Sequence, residues 1–232
     1  ISLAGPANKQ GRIAADNICG GNSRFHGSQG SSVLKLFGLT AASTGINEKA
    51  AQAAGITYDK VVLFPASHAT YYPGAQSMAM KVLYEKESLR LLGAQIVGGE
   101  GVDKRIDVLA TAIRAKMTAL ELTELDLSYA PPYSSAKDPV NMAGFMIEDL
   151  ENGKVRQFHW DEVDDLPRNG SAALLDVRTA WEYQRGHLDG FRNVPLDDLR
   201  EHLDELEPNK PVYVNCQTGL RSYLACRLLT QY

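Results

Sequence analysis

The stretch Asn215-Cys216-Gln217-Thr218-Gly219-Leu220-Arg221-Ser222 carries the residue types of an activated thiol site. The apolar run Val212-Tyr213-Val214 before it reads as a buried strand, and Tyr223 to Leu229 after it reads as a helix. This order predicts Cys216 at a strand end, in a tight loop, facing a helix N-terminus. The unpaired amides of a first helical turn favour an anion. A cysteine held there has a lowered pKa and becomes a nucleophile as thiolate. Gly219 lets the loop curl so that successive amides converge on one point. Arg221 offers a rigid positive fork for an oxyanion. The alternative is a buried, inert cysteine beside a helix.

The elements that must position this loop follow an alternating order. Ala173-Leu174-Leu175-Asp176-Val177 reads as a buried strand, Trp181-Glu182-Tyr183 as the start of a helical turn, and Arg192–Pro195 as a short strand. Residues 197–206 read as an acidic helix with a solvated face, and Pro211 to Asn215 as the strand delivering Cys216. Alternating strands and helices imply a parallel sheet with its site at the carboxyl ends of the strands. Asp176-Val177-Arg178 lies at one such end, and pairing of its two charges would order the loop. His187 reads as a packing and hydrogen-bonding residue.

The preceding residues have a different pattern. Pro6 to Ile18 reads as a helix with Pro in its first turn and a stripe at 14, 15 and 18. Residues 19–32 read as loop, Val33 to Thr40 as a strand, and Asn47 as the cap of a short helix ended by Gly55. Val61-Val62-Leu63-Phe64 reads as a buried strand. Ser77 to Glu85 and Leu89 to Val97 read as a hairpin, and Asp103 as the cap of a helix running to Met117 with Ile106, Leu109, Ala110 and Ile113 on one face. After Pro131-Pro132 a last helix runs from Asp138-Pro139 to about Leu150.

The 232 residues suffice for two ordinary domains. Residues 155–232 carry nine Lys/Arg against thirteen Asp/Glu, and residues 1–154 fifteen of each. This shift places a boundary near Glu151-Asn152-Gly153-Lys154. The net charge of −4, without a basic run, argues against nucleic acid as a partner. No apolar stretch reaches membrane-spanning length, and no secretory leader stands at the start. Three scattered cysteines, 19, 216 and 226, suit a reducing compartment, so the expected location is cytoplasmic.

The second half resembles the rhodanese family. Leu175-Asp176-Val177-Arg178, Glu182-Tyr183, Gly186-His187-Leu188-Asp189-Gly190 and Asn193-Val194-Pro195 are similar to its N-terminal signature, and Cys216 to Ser222 to its catalytic loop. The resemblance implies that Cys216 takes a sulfane sulfur as a persulfide and passes it to a thiol or cyanide-like acceptor. Gln217, Thr218, Gly219, Leu220 and Ser222 would then form the cradle, and Arg221 would bind or steer an anionic donor. Asp176 and Arg178 would support the loop from behind. Cysteine phosphatases use related geometry, but their loop has one more residue between Cys and Arg. The rhodanese pattern continues past this helix with a further strand and a glycine-rich turn and helix, so the α/β domain reads as truncated at Tyr232.

Residues 1–150 resemble the C-terminal end of flavin-dependent pyridine nucleotide-disulfide oxidoreductases, in the coenzyme A-disulfide reductase and NADH-dependent persulfide reductase branch. Ala7-Asn8-Lys9-Gln10-Gly11-Arg12, Leu92 to Gly98, Tyr129-Ala130-Pro131-Pro132-Tyr133-Ser134 and Lys137-Asp138-Pro139 carry it. It implies the end of an FAD-binding region over 1–22, an α+β dimerisation domain with an antiparallel sheet over 23–150, and the rhodanese-like domain over 151–232. It also implies a homodimer through 23–150. Tyr71 and Tyr129 would lie near the redox cysteine and flavin of the opposite subunit, with Lys137 and Asn8 contacting a coenzyme A-type substrate. FAD and NAD(P)H are the implied cofactors of a longer enzyme. No G-x-G-x-x-G occurs here, so this chain holds no dinucleotide fingerprint of its own. Two other readings stand beside the reductase fragment. One is a free-standing sulfurtransferase or phosphatase with an N-terminal interaction domain, and the other is a dimerisation module without chemistry.

Overall fold

Residues 78–98 alternate large apolar side chains with small or polar ones, and this pattern folds them into the middle of an antiparallel sheet. A computed structural model describes residues 3–232. The chain forms two compact units, the first ending at Glu148 and the second spanning Asp149–Tyr232. In the first, β4 (Met78–Glu85) and β5 (Leu91–Gly98) form the central hairpin. β3 (Tyr58–Leu63) joins the β4 edge, and β2 (Leu39–Gly45) and β1 (Ser32–Leu36) extend the β5 edge, giving the order β1-β2-β5-β4-β3. Met78, Met80, Val82 and Ile96 are fully buried from this sheet. Each contributes about 1.5–3 kcal/mol by leaving water.

Helix α1 (Ala4–Ile18) has no buried residue, so its 14, 15 and 18 stripe packs against nothing within the described residues. Helix α2 (Glu48–Ala53) is capped by the Asn47 side chain, which accepts from the Ala50 amide at 2.9 Å. Two expectations change. Residues 33–40 are two strands, because the turn at Phe37-Gly38 contains an apolar residue and leaves the hydrophobic pattern unbroken; Phe37 takes φ +51° to make it. The 61–64 run is half-buried, with Val61 and Leu63 inward and Val62 and Phe64 exposed.

Helix α3 (Val102–Arg114) packs on β2 and β5 through Val102, Ile106, Leu109 and Ala112. Its cap is Gly101 at φ +72°, not Asp103, and the helix stops short of Met117. Gly101 is needed twice: for its left-handed backbone, and because a Cβ there would lie 2.1 Å from Arg105 Nη1. Arg105 is 1% exposed and replaces an apolar residue on the buried face. Its Nη2 donates to Asp138 Oδ2 at 3.0 Å, to the Ser67 carbonyl at 2.9 Å and to Ser134 Oγ at 3.1 Å. Nη1 reaches the Gly101 carbonyl at 3.1 Å. Asp138 also accepts from Ser134 Oγ at 2.6 Å and from the Val140 amide at 3.0 Å, at the start of α4 (Pro139–Glu151).

The second unit is built on a three-stranded parallel sheet in the order β7-β6-β8. β6 (Ala173–Asp176) lies between β7 (Arg192–Asn193) and β8 (Val212–Asn215). A short helix α5 (Ala180–Gln184) follows β6, and α6 (Leu220–Gln231) follows β8. Tight 3-10 turns span Trp160–Asp165 and Leu199–Glu205. The core joins Leu175, Val177, Val194, Leu199, Val214, Ala225 and Leu228. Cys226 packs at its edge, as expected of a residue inside the last helix. α6 begins at Leu220 rather than Tyr223, which brings its first turn within reach of Cys216.

Burial pushes the Asp138 carboxyl up, but the Ser134 hydroxyl, the Val140 amide and Arg105 outweigh it and hold it below the usual carboxylate range. A folded pKa below the unfolded one stabilises fully above the unfolded value of about 3.9, and that stability is lost as pH falls through the folded value. Asp138→Ala leaves a buried guanidinium without its carboxylate and is expected to cost about 3–5 kcal/mol. Urea denaturation at neutral pH measures this loss. Repeated below pH 4, the gap between wild type and variant narrows.

Candidate functional site

β8 and α6 fix Cys216 from its two sides. The strand ends at Asn215, the helix begins at Leu220, and Gly219 takes φ +100° between them. That backbone turns amides inward. The Gly219 amide donates to Cys216 Sγ at 3.1 Å and the Ser222 amide donates at 3.3 Å. Sγ lies 3.4 Å from Ser222 Oγ, which is also 2.8 Å from the Gly219 carbonyl, so its one hydrogen turns to the carbonyl beside the thiol and to sulfur beside the thiolate. The thiol is half-buried, while Gln217, Thr218, Gly219 and Leu220 are exposed around it. Burial pushes the Cys216 thiol up. The Ser222 hydroxyl and the amides of Ser222, Thr218 and Gly219 together outweigh burial and bring it below its ordinary value. Cys226 is the opposite case, pushed up by burial and by the neighbouring charge of Cys216. Cys19 caps α1 and is exposed.

The floor of the site is the end of β6. Asp176 is fully buried and receives Arg178 Nε on both oxygens at 2.9 Å and Arg178 Nη2 at 2.6 Å. Arg178 Nη2 also donates to the Gly186 carbonyl at 2.8 Å, and Asn215 Nδ2 donates to Asp176 Oδ2 at 3.3 Å. The pair thus joins the β6 end, the turn after α5 and the residue preceding Cys216. Asn193 Nδ2 adds bonds to the Asp176 and Arg178 carbonyls at 2.9 and 2.8 Å. His187 stacks on Tyr183 at 3.8 Å and bonds its carbonyl at 3.1 Å.

Arg221 does not present the open fork expected of it. Its Nη1 and Nη2 each donate to a Glu182 carboxylate oxygen at 2.7 Å. Glu182 in turn accepts from the Thr179 amide at 3.0 Å and hydroxyl at 2.8 Å, in a capping box that starts α5. These bonds hold its carboxyl far below the usual range, the Arg221 bonds first among them. The sequence reading assigned no role to Glu182 or Thr179, although the spacing Thr-x-x-Glu is the signal of a capping box.

In the first unit, Tyr71 and Tyr129 do come together: their hydroxyls lie 2.7 Å apart, on exposed side chains. Arg105 and Ser134 position them. The Ala69 amide donates to the Ser134 carbonyl at 3.0 Å, and Arg105 binds both Ser67 and Ser134. The bond with Tyr71 raises the Tyr129 pKa, so the hydroxyl keeps its proton. Lys137 is exposed, and Asn8 on α1 donates to its own Ala4 carbonyl at 2.9 Å. Among the described residues neither is bonded to the tyrosine pair. Among the described residues no strand–turn–helix carries the glycine fingerprint of a dinucleotide site. The parallel strand–turn–helix at β8–α6 carries a cysteine in place of a glycine fingerprint, and α1 buries no side chain. Among the described residues no helix is long and apolar enough to cross a membrane.

Residues 32–139 match the dimerisation domain of pyridine nucleotide-disulphide oxidoreductases, and residues 159–232 match the rhodanese-like domain. A coenzyme A disulfide reductase of Staphylococcus haemolyticus is 40% identical over 151 residues, 65% of this chain and 34% of that protein. The crystal structure of reduced Bacillus anthracis CoADR-RHD superposes on all of this chain and 42% of its own, at 47% identity and TM-score 0.93. A NAD-dependent persulfide reductase from A. fulgidus is 41% identical over 97% of this chain and 40% of its own, with TM-score 0.86. The chain spans about a third of the length of the curated relatives it matches.

The amide cradle predicts a reactive thiol. In a Cys19→Ser background, alkylation of Cys216 by iodoacetamide is expected to titrate below the ordinary thiol range, with Cys226 reacting far more slowly. Ser222→Ala removes a hydroxyl contact and moves the Cys216 midpoint upward; an unmoved midpoint means the hydroxyl does not act on the sulfur.

Proposed function

We propose that this chain, which joins a pyridine nucleotide-disulphide oxidoreductase dimerisation domain to a rhodanese-like domain and so belongs to both families, is part of an FAD- and NAD(P)H-dependent disulfide or persulfide reductase with its own sulfurtransferase site. The observation that carries the sulfurtransferase reading is the convergence of the Gly219 and Ser222 amides on Cys216 Sγ. The Cys216 thiolate attacks the terminal sulfur of a persulfide R–S–SH. The S–S bond of the donor breaks, a new S–S bond forms on Cys216, and R–S⁻ leaves. The same exchange in reverse delivers the sulfur to an acceptor thiol, with no net oxidation. The amides stabilise the sulfur anion at both stages without a mobile charge.

The first unit serves dimerisation, consistent with its exposed Val33, Leu34, Leu36, Phe37, Val62 and Phe64. The Tyr71–Tyr129 pair stands ready to protonate a leaving thiolate at a partner's redox and flavin site, and Tyr129 would face that cofactor. Lys137 and Asn8 would bind the phosphates of a coenzyme A-type thiol, Lys137 as a point charge. α1 would be the end of an FAD-binding region over 1–22. The flavin and nicotinamide would be held by residues outside this chain, and no step above passes through them. A coenzyme A disulfide or persulfide is the substrate class, and the cytoplasm is the expected compartment. A phosphatase reading is disfavoured because Arg221, which would have to grip the phosphate, is held in a bidentate pair with Glu182.

Two outcomes check this reading. Cys216→Ser is expected to reduce sulfur transfer from a persulfide donor to a small thiol by at least about 10³-fold, as loss of a covalent nucleophile does; unchanged transfer rules out the site. Light scattering after gel filtration is expected to give twice the mass of one chain, and a monomer at micromolar concentration contradicts the dimerisation role of the first unit.

A further inference from the structure

Two arginines lie at the Cys216 site, and both are neutralised by carboxylates. Arg178 is bound to buried Asp176 through Nε and Nη2. Arg221 is bound to Glu182 through both Nη atoms at 2.7 Å, and Glu182 is itself held by Thr179. What remains to greet a substrate at Cys216 is dipolar: the Gly219 and Ser222 amides and the Ser222 hydroxyl. Leu220, beside Arg221 in the loop itself, is apolar and 63% exposed. Such a mouth suits a neutral donor that carries its sulfane sulfur on an organic arm. It is poorly matched to a small dianion, which needs a free cation to offset its desolvation.

We propose that Glu182 determines donor specificity at Cys216: by engaging Arg221 it withholds a cation from the loop mouth and selects alkyl persulfides over thiosulfate. This rests on the sulfurtransferase reading above and adds to it the residue that sets the choice of donor. With an alkyl persulfide, Cys216–S⁻ and R–S–SH give Cys216–S–SH and R–S⁻. With thiosulfate, Cys216–S⁻ and S₂O₃²⁻ give Cys216–S–S⁻ and SO₃²⁻, so three negative charges must share the mouth through the whole step. Glu182 touches no reacting atom; it acts through Arg221.

The test is the ratio of kcat/KM for thiosulfate to kcat/KM for cysteine persulfide, measured on the full chain with a small thiol acceptor. Glu182→Gln keeps the capping-box side-chain type and frees Arg221; the ratio is expected to rise about five-fold or more, from one added unit charge at a partly solvated distance. Glu182→Asp retains the charge and is expected to stay within about two-fold of wild type. An unchanged ratio in Glu182→Gln, or an equal rise in Glu182→Asp, overturns the proposal while leaving sulfur transfer at Cys216 intact. Absence of transfer from both donors in wild type overturns both readings. Should Glu182→Gln not fold, wild type alone decides. A neutralised mouth keeps KM for thiosulfate flat as salt rises from about 20 to 300 mM, whereas a steep rise reveals an available cation and sinks the idea.

Discussion

A guanidinium with no access to water governs the first unit. Arg105 sits on the buried face of α3, where helical spacing calls for an apolar side chain, and desolvating its charge is costly unless every donor is satisfied. The loops are shaped to do so: Gly101, Ser67, Ser134 and Asp138 all turn a carbonyl, hydroxyl or carboxylate toward it. Those residues belong to three segments, at 67, 101 and 134–138, so satisfying one side chain sets the course of the chain from 67 to 76 and from 129 to 139. The tyrosine pair at 71 and 129 is a consequence. Two exposed aromatics on separate loops meet at 2.7 Å because the loops beneath them share one buried ion pair.

The second unit repeats the principle on a parallel sheet. Asp176 ends β6 with its carboxylate wholly buried, and Arg178, two residues on, neutralises it and reaches across to Gly186. Asn193 and Asn215 tie the neighbouring strand ends to the same point. The carboxyl ends of all three strands are therefore braced together, and the loop leaving β8 starts from a fixed position. On that footing the Cys216 thiol is influenced by three opposing effects: burial raises its pKa, whereas the Ser222 hydroxyl and the loop amides lower it. The balance favours the anion without a mobile cation at the sulfur. Arg221 could have supplied one, but it is better satisfied by Glu182 at two short bonds than by solvent.

Several features are legible in the residue pattern alone. Periodicity located the central hairpin, α3 and β6, because burial on one face writes itself into the residue pattern. The Cys216 loop was legible because strand, glycine and helix follow in order. The misreadings share a cause. Residues 33–40 merged two strands because Phe37 in the turn is apolar, and the α3 cap was assigned to Asp103 because polar side chains, not glycines at positive φ, are the familiar start signal. Arg105 escaped notice since a charged residue on an amphipathic helix reads as solvent-facing.

By itself the sequence determined the order of elements, the place of the nucleophile and the two-part organisation, all of which rest on local spacing and turn chemistry. Only the tertiary structure decided which charges meet. Arg221 and Glu182 are thirty-nine residues apart, as are Asn215 and Asp176, and nothing local says which of several arginines a carboxylate will claim. Ion pairing depends on the distance between folded segments and on the loss of water around them. The sequence could therefore name the thiol, while the fold determined the charge of the surface from which a donor approaches it.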